Sequence, residues 1–367
     1  MASIAIVGAG PAGSAAAFHL ASRGHAVTVF DRAVFPRDKT CGDWLTPAAL
    51  GEIAALGLDA DGLARGAPGH VSIHRTALVA PVGRRSEQDS AIAGRCVARR
   101  TLDAMLLAQA TRAGARLVGG AFRDVRRDTP GLATHDHVID ARGAAAGRAN
   151  AIGLRAYWTL HREAVPAERL EEVSLHTDAE FRRGYGWIFP VHADETTVRF
   201  NIGVGLWKED SRRGQTVADF LAHFLASHAA AHEICTAAVE STRPVGYPVA
   251  LGGGRSPVTA DGVLRIGDAA QLADPLTGDG IGNALTSGRL VAAAIDAGPA
   301  DAAAANWQRA CNASLVPELR RAFVLRQLLV ATPMKNLAAF AAVRGPAPFR
   351  ERLHGAVFGA RPYRDLI

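Results

Sequence analysis

The feature that most constrains the fold is a glycine-rich turn between an apolar strand and an alanine-rich helix at the start of the chain. Residues 3–8 (SIAIVG) predict a short buried strand, the turn GAGPAG occupies 8–13, and a helix is predicted over Ser14–Arg23. A second buried strand, predicted over Ala26–Phe30, completes a βαβ unit. This opening predicts a parallel α/β sheet with a phosphate-binding turn at its edge.

The turn and the end of the second strand have the residues that a dinucleotide site needs. Gly8 permits the tight turn, Gly10 lets the backbone approach a pyrophosphate, and Gly13 lets the helix pack closely on the strand. The helix N-terminus offers unpaired N–H groups to the phosphates. Asp31 is placed to accept hydrogen bonds from an adenosine ribose, and its charge disfavours a 2′-phosphate. The unit therefore predicts FAD or NAD and not NADP.

Length and composition indicate a soluble globular protein of more than one structural unit. The chain has 367 residues, of which 49% are hydrophobic and 21% charged. No apolar run approaches the ~20 residues of a transmembrane helix. Because the first strand begins almost at residue 1, no signal peptide is expected, and a cytoplasmic location is predicted.

Charge and cysteine usage exclude several other classes. The net charge is +6, but the basic residues are scattered, so no nucleic-acid partner is expected. The four cysteines are far apart and show no metal-binding spacing. We therefore predict neither a metal site nor structural disulfides.

The pattern of predicted elements changes twice along the chain. Period-2 alternation in EVSLHT, GYGWIFPV and TTVRFNIGVGL indicates a β-rich region after about residue 155. The strand–turn–helix pattern then returns at 260–300, so an α/β unit is split in sequence around a β-rich insertion, which costs little loop entropy. The predicted division is an FAD-binding domain at 1–70, 96–154 and 256–300, a β-rich substrate domain at 71–95 and 155–255, and a C-terminal helical segment at 301–367.

A second acidic glycine cluster decides between FAD and NAD. GDAAQLADPLTGDGIGNAL, at 267–285, follows the strand-like VLRI and opens a helix near Gly280. FAD is a long cofactor, so its ribityl chain and isoalloxazine ring need a second binding segment of this kind. Asp268 can accept hydrogen bonds from the ribityl hydroxyls, and Pro275 and the backbone of Leu276–Gly282 can lie against the ring. The helix directs the positive end of its dipole at the N1/O2 edge of the flavin. The cluster therefore favours FAD.

Four motifs carry a family resemblance. They are FPRDKTCG at 35–42, RTLD at 100–103, YGWIFP at 185–190, and the pair GDAA at 267–270 and DPLTGDGI at 274–281. In these motifs the chain resembles the FAD-dependent geranylgeranyl reductase branch of the p-hydroxybenzoate hydroxylase-type flavoproteins. The resemblance implies an α/β fold in which a Rossmann-like FAD-binding domain of the GR2/PHBH type is interleaved with a β-sheet substrate domain, followed by C-terminal helices.

Two features depart from the family pattern. The middle motif, usually ADG, is Asp140-Ala141-Arg142-Gly143 here, with arginine where aspartate is common. The chain is also shorter than many relatives, which implies a smaller substrate pocket. The residues predicted to contact FAD are Gly8, Gly10, Pro11, Ala12, Gly13, Asp31, Arg32, Arg37, Cys41, Gly42, Arg100, Gly267, Asp268, Pro275, Gly278, Gly280 and Ile281.

The resemblance places Cys41 on the substrate side of the flavin, where a thiol can position an alkene or donate a proton. A neighbouring Lys39 or Arg37 is expected to lower its pKa.

Tyr185, Trp187 and Phe189 alternate along one strand, so they share one face and form an apolar wall suited to a hydrophobic, conjugated substrate. The predicted catalytic residues are Cys41, Tyr185 and Trp187, and the predicted substrate-binding residues are Trp44, Tyr185, Trp187, Phe189, Tyr247 and Pro248.

The predicted function is an FAD-dependent oxidoreductase that transfers hydride between flavin N5 and a carbon–carbon bond of a hydrophobic small molecule. The alternative is a flavin monooxygenase or hydroxylase of a natural-product pathway that acts through a C4a-hydroperoxide, because fold and cofactor seats are shared. A halogenase and a non-catalytic flavin-binding protein are weaker alternatives. No second nucleotide fold is predicted, so electrons are expected from transiently docked NAD(P)H or from a separate reductase or ferredoxin. Three alternative roles stay open for the C-terminal helices: capping the pocket, dimerisation or peripheral membrane contact.

Overall fold

The computed structural model describes residues 1–80, 84–146, 149–177, 184–208, 216–253, 259–330 and 344–366. In these ranges the strands are β1 (Ser3–Val7), β2 (Ala26–Asp31), β3 (Trp44–Leu45), β4 (Val71–Val79), β5 (Arg85–Cys96), β6 (Arg116–Gly119), β7 (His137–Asp140), β8 (Ala151–His161), β9 (Glu172–His176), β10 (Gly184–Ala193), β11 (Thr197–Trp207), β12 (Glu240–Ser241), β13 (Val245–Val249), β14 (Thr259–Ala260) and β15 (Val263–Arg265). The α-helices are α1 (Pro11–Ala21), α2 (Pro47–Ala54), α3 (Ala60–Gly66), α4 (Arg99–Arg112), α5 (Ala167–Leu170), α6 (Val217–Ser227), α7 (Ala229–Ala237), α8 (Ile281–Asp296), α9 (Ala303–Ser314), α10 (Val316–Val330) and α11 (Ala347–Val357).

Six of the described strands form a mostly parallel sheet in the order β14-β15-β7-β1-β2-β6. β1 pairs in parallel with β2 and β7, and β15 pairs in parallel with β7, so the late segment rejoins the opening βαβ unit. This confirms the α/β class and the unit that is split in sequence. Because the carboxyl ends of parallel strands meet at one edge, the turn after β1, Asp31 after β2 and Asp140 after β7 come together there.

The remaining described strands form a nine-stranded, largely antiparallel sheet, in the order β12-β8-β11-β10-β9-β4-β5-β3 with β13 also on β8. The predicted strands EVSLHT, GYGWIFPV and TTVRFNIGVGL are β9, β10 and β11. Consecutive residues of these strands are buried over most of their length, so both faces of the sheet are covered here. β8 begins at Ala151, shortly before the predicted start of the substrate domain at 155, and the domain boundaries stay a prediction.

Small residues hold the two halves of the split unit together. Helices α1 and α8 pack against each other at Gly288, where an added Cβ would lie 2.7 Å from both the Ala12 carbonyl oxygen and the Ala16 nitrogen. Ala12, Ala16 and Val291 lie in one buried apolar cluster with the strands of the parallel sheet. The alanine-rich composition of these helices therefore allows a close helix–helix approach.

The C-terminal segment is helical beyond residue 345 as well. Residues Ala347–Val357 form helix α11, which packs on β4 and β5. His354 on this helix is buried, with Nδ1 2.9 Å from Thr76 Oγ1 and Nε2 3.0 Å from Ser86 Oγ. Burial lowers the pKa of His354 to about 4.

The predicted helical stretch 301–345 contains α9 and α10, while 331–343 lie outside the described residues. No α-helix in the described ranges combines the length and apolar character that a bilayer crossing needs.

Candidate active site

A cavity of about 1020 Å³ opens at the carboxyl edge of the parallel sheet. Gly10 and Asp31 from the opening unit line it, and so do Asp268 and Gly280 from the second glycine cluster. The two clusters also contact each other, because a Cβ added to Gly267 would lie 3.0 Å from the Ala12 Cβ. Two segments more than 250 residues apart therefore form one site.

The three glycines of the first turn differ in their surroundings. Gly8 has a φ of +111°, and an added Cβ would lie 2.3 Å from the Ala141 carbonyl oxygen. At Gly13 an added Cβ would lie 1.8 Å from the Gly8 carbonyl oxygen. At Gly10 the nearest atom outside the turn would be Arg37 Nη2, 3.9 Å away. Gly8 and Gly13 are thus required for packing, whereas Gly10 faces the open cavity.

Asp31, the last residue of β2, stabilises this turn through hydrogen bonds to two backbone N–H groups. Its Oδ2 accepts a hydrogen bond from the Ala9 nitrogen at 2.7 Å, and its Oδ1 accepts one from the Ala33 nitrogen at 2.8 Å. The side chain remains partly exposed and lines the cavity beside Arg32. The carboxylate is therefore available to a ribose hydroxyl, as predicted.

A pair of arginines lies between the first turn and Cys41. Arg99 is buried and donates from Nε and Nη2 to Asp103, at 2.7 and 2.8 Å. Arg37 Nη2 lies 3.0 Å from the same carboxylate. Arg37 Nη1 is buried and has no hydrogen-bond partner among the described residues. A buried guanidinium N–H that lines the cavity near Gly10 is suited to an anionic group of a ligand.

Two predicted cofactor contacts lie outside the cavity. Arg100 is exposed and does not line it, and its neighbour Arg99 occupies the inward position instead. The predicted register was wrong by one residue because the sequence has two consecutive arginines at the start of α4. Pro275 is buried and also absent from the cavity lining, which instead includes Gly278, Gly280 and Ile281.

The predicted aromatic wall is present on β10. Tyr185 and Trp187 have ring centroids 6.1 Å apart, and Trp187 and Phe189 are 6.4 Å apart. All three side chains line the cavity, as do Trp44, Tyr247 and Pro248. Gly42 rests against this wall, because an added Cβ would lie 2.9 Å from Phe189 Cε2.

The surroundings of Cys41 correct one expectation. Burial raises the pKa of its thiol, and the nearby Arg99 guanidinium opposes this without overcoming it. The prediction that Lys39 or Arg37 lowers the pKa of Cys41 is therefore wrong. Lys39 itself lies with Nζ 4.9 Å from the centroid of the Tyr247 ring, and burial lowers the pKa of this amine.

A buried asparagine anchors the loop that carries Cys41. Asn201 on β11 donates from Nδ2 to the Cys41 carbonyl oxygen at 2.7 Å and to Asp43 Oδ2 at 2.9 Å. Its Oδ1 accepts from Trp187 Nε1 at 2.9 Å. Asp43 has a φ of +64° and is fully buried, and it also accepts from the Tyr157 hydroxyl at 2.6 Å. Asn201 therefore fixes the Cys41 loop and the aromatic wall relative to each other.

The unusual Arg142 has a structural role that the sequence did not indicate. Its Nε and Nη2 donate to Asp140 at 2.9 and 2.8 Å, and its Nη1 donates to the carbonyl oxygens of Phe122 and Arg123. The arginine thus ties the end of β7 to the loop after β6.

The residues near the site that the sequence analysis missed include Arg99, Asn201, Asp279, Val357 and Phe358. Asn201 could have been noticed as a polar residue at an otherwise apolar position of TTVRFNIGVGL, since a buried amide needs partners. Arg99 could have been noticed from its i,i+4 spacing to Asp103. Val357 and Phe358, which line the cavity, belong to the predicted C-terminal helical segment, in which no individual site residue was predicted.

Comparison with known proteins places this geometry in context. A family model described as an NAD(P)-binding Rossmann-like domain matches residues 6–54. The chain is 33% identical to a menaquinone reductase of Mycobacterium tuberculosis (strain H37Rv), over 80% of this chain and 76% of the relative. It is 30% identical to a digeranylgeranylglycerophospholipid reductase of Methanoculleus marisnigri, over 79% of this chain and 75% of the relative.

Two solved structures share the fold. A geranylgeranyl bacteriochlorophyll reductase-like protein from Thermoplasma acidophilum aligns with a TM-score of 0.72 at 19% identity, over 100% of this chain and 99% of that chain. The flavin-dependent brominase Bmp2 aligns with a TM-score of 0.74 at 17% identity, over 98% of this chain and 93% of that chain. At these identities the similarity shows the fold and not the reaction.

The residues in this cavity fit FAD. The open face of Gly10, the unpartnered Nη1 of Arg37 and the N-terminus of α1 match a pyrophosphate. The second cluster supplies Asp268 and the N-terminus of α8 within the same cavity. In the described part of the chain no group of His, Cys, Asp or Glu side chains is arranged for a metal ion.

Proposed function

This chain belongs to the geranylgeranyl reductase-like family of FAD-dependent flavoproteins, and from that premise we propose that it reduces a carbon–carbon double bond of an apolar, unsaturated small molecule. The chain is an FAD-dependent oxidoreductase. The substrate class and the roles of individual residues are the parts that we propose.

One observation carries the proposal. The Cys41–Gly42 pair rests on the aromatic wall of Tyr185, Trp187 and Phe189 inside the cavity that also contains both glycine clusters. An apolar wall next to the cofactor seats favours an apolar substrate. The relatives agree with this reading, since one is named for menaquinone and the other for a digeranylgeranyl lipid.

FAD would be held by the first glycine turn with Asp31 and Arg37, and by the second cluster with Asp268 and the start of α8. When bound, FAD supplies two-electron redox chemistry at its isoalloxazine ring. The protein's own contribution is to hold the alkene against the aromatic wall and to exclude water from it. Asn201 keeps Cys41 in register with this wall through its hydrogen bonds to the Cys41 carbonyl and to Trp187.

Cys41 acts in this proposal as a neutral thiol. Because burial raises its pKa, the thiol stays protonated at neutral pH and serves as a small, polarisable contact for the substrate. The source of electrons stays a prediction: NAD(P)H that docks transiently, or a separate reductase or ferredoxin.

The test is an anaerobic single-turnover reaction. The holoenzyme is reduced with dithionite and mixed with menaquinone-4 or geranylgeraniol, and the product is analysed by mass spectrometry while flavin reoxidation is followed by absorbance. The proposal predicts a product formed without oxygen that stays heavier by two hydrogens in its isoprenoid chain after any quinol has been reoxidised in air. A product heavier by one oxygen atom, formed only in air, would favour the monooxygenase alternative instead.

A matched pair of variants separates substrate binding from folding. Trp187→Phe removes the hydrogen bond to Asn201 but keeps an aromatic ring, whereas Phe189→Leu removes an aromatic ring that makes no such bond. If the aromatic wall binds the substrate, both variants raise the substrate concentration for half-maximal rate and retain FAD. Unchanged substrate dependence in both would contradict the assignment of this wall.

A further inference from the structure

A second cavity, of about 320 Å³, lies behind the second glycine cluster. Four residues line both this cavity and the main one: Thr46, Thr277, Asp279 and Val357. The partition between the two spaces is therefore formed by the turn at 274–282 together with Thr46 and Val357. Of these four shared residues, Asp279 alone carries an ionisable side chain.

The second cavity reaches the surface, and its lining is mixed, with polar side chains set in a mostly apolar surface. Exposed residues Ala360 and Arg361 form part of its lining, so it communicates with solvent. Its other polar lining residues are Asp274, Asn283, Thr286, Ser314, Glu318 and Tyr363. These side chains offer hydrogen-bond partners to water molecules between the surface and Asp279.

The carboxyl group of Asp279 has a raised pKa, although two backbone N–H groups donate to it. Its Oδ1 accepts from the Ile281 nitrogen at 3.2 Å, and the Gly282 nitrogen also donates to it, at the N-terminus of α8. Burial, followed by repulsion from Asp274 and a smaller contribution from Asp268, raises the pKa of Asp279 to about 6.

The other titratable groups around Asp279 are less suited to exchanging a proton near neutral pH. Tyr185 on β10 and Tyr363 after α11 face it, and burial raises the pKa of both phenols well above their usual value. Burial also raises the pKa of Asp274, but this side chain does not line the main cavity. Glu318 and Arg361 lie on the far side, in the lining of the second cavity.

We propose that Asp279 delivers the proton that completes reduction of the double bond, and that the second cavity returns a proton to it from solvent. The inference rests on the proposed function. The reduced cofactor supplies two electrons and one hydrogen to one alkene carbon. The other carbon forms a new C–H bond with the proton released when the Asp279 O–H bond breaks, and water in the second cavity then reprotonates the carboxylate.

Two substitutions at one position test this role. Asp279→Asn removes the ionisable proton at nearly constant size, and Asp279→Glu retains a carboxyl group. Both variants are used as FAD holoenzymes in the anaerobic single-turnover reaction, with whichever of menaquinone-4 or geranylgeraniol the wild type reduces. The rate is measured from pH 5 to 9. Because a protonated acid is the donor, the wild-type rate is expected to fall about tenfold per unit above pH 6.

Asp279→Asn should lower the rate at pH 6 by about 10²-fold or more and abolish this pH dependence, while Asp279→Glu restores both. A second readout does not depend on turnover: a protonated-carboxyl infrared band that titrates near pH 6 should be present in the wild type and missing in Asp279→Asn. A wild type that reduces the alkene while Asp279→Asn keeps the same rate and pH profile would overturn the inference alone. A wild type that reduces neither probe would refute the proposed function and the proton role with it, whatever the infrared band shows.

Discussion

Replacing Asn201 with leucine should destabilise the fold strongly, because this amide makes three buried hydrogen bonds. Leucine keeps the branched shape at a larger volume but leaves the Cys41 carbonyl, the Asp43 carboxylate and the Trp187 indole N–H without their partner. A buried polar group that loses its partner costs about 1–3 kcal/mol. Asp43 keeps its hydrogen bonds from Tyr157 and from the Arg99 nitrogen, so its loss lies at the low end. The summed expectation is about 3–7 kcal/mol.

This loss is large against the ~5–15 kcal/mol of a typical domain. The assay is urea unfolding of the flavin-free protein, followed in parallel by tryptophan fluorescence and circular dichroism so that coincident transitions can be checked. Thr159→Val is the matched control, since Thr159 is also buried in this sheet but accepts only a 3.3 Å hydrogen bond from Arg199. The control should cost under about 1.5 kcal/mol. If Asn201→Leu costs no more than the control, Asn201 does not anchor the Cys41 loop.

Three further predictions concern the cofactor seat, the C-terminal helix and the thiol. Gly10→Val should abolish FAD retention without unfolding the apoprotein. Gly13→Ala should instead lower the apoprotein's thermal midpoint, because its Cβ would lie 1.8 Å from a carbonyl oxygen. Equal thermal midpoints for the two variants would contradict this contrast. Because burial lowers the pKa of His354 to about 4, the unfolded chain binds the proton first, so stability should rise by up to about 3 kcal/mol from pH 4 to 6.5. His354→Gln should flatten this rise in urea titrations at several pH values, and an unchanged slope would assign it to other groups. Cys41→Ala should retain FAD, measured by the flavin-to-protein absorbance ratio, and lower single-turnover alkene reduction; a full rate would exclude a role for the thiol.

The opening unit could be predicted from sequence because its signals are local. The spacing of Gly8, Gly10 and Gly13 after an apolar strand specifies a turn whose geometry depends on few distant contacts. The alternation of Tyr185, Trp187 and Phe189 likewise predicts a shared face, whatever the rest of the sheet does.

Other parts of the site depend on tertiary contacts that the sequence does not display. Arg99 and Arg100 are equivalent in sequence, and only the packing of α4 decides which one faces the cavity. The pKa of Cys41 was predicted in the wrong direction because nearby basic residues are visible in the sequence and burial is not. The role of Asp279 as part of a partition between two cavities depends on where α10 and the C-terminal segment pack.

The most direct test of the central claim is a crystal structure of the FAD complex. One FAD per chain should lie with its pyrophosphate beside Gly10 and Arg37, and with its isoalloxazine ring close to both Cys41–Gly42 and the start of α8. An FAD that contacts the first glycine turn while Asp268 and Gly280 remain far from it would contradict the conclusion that both clusters hold a single cofactor.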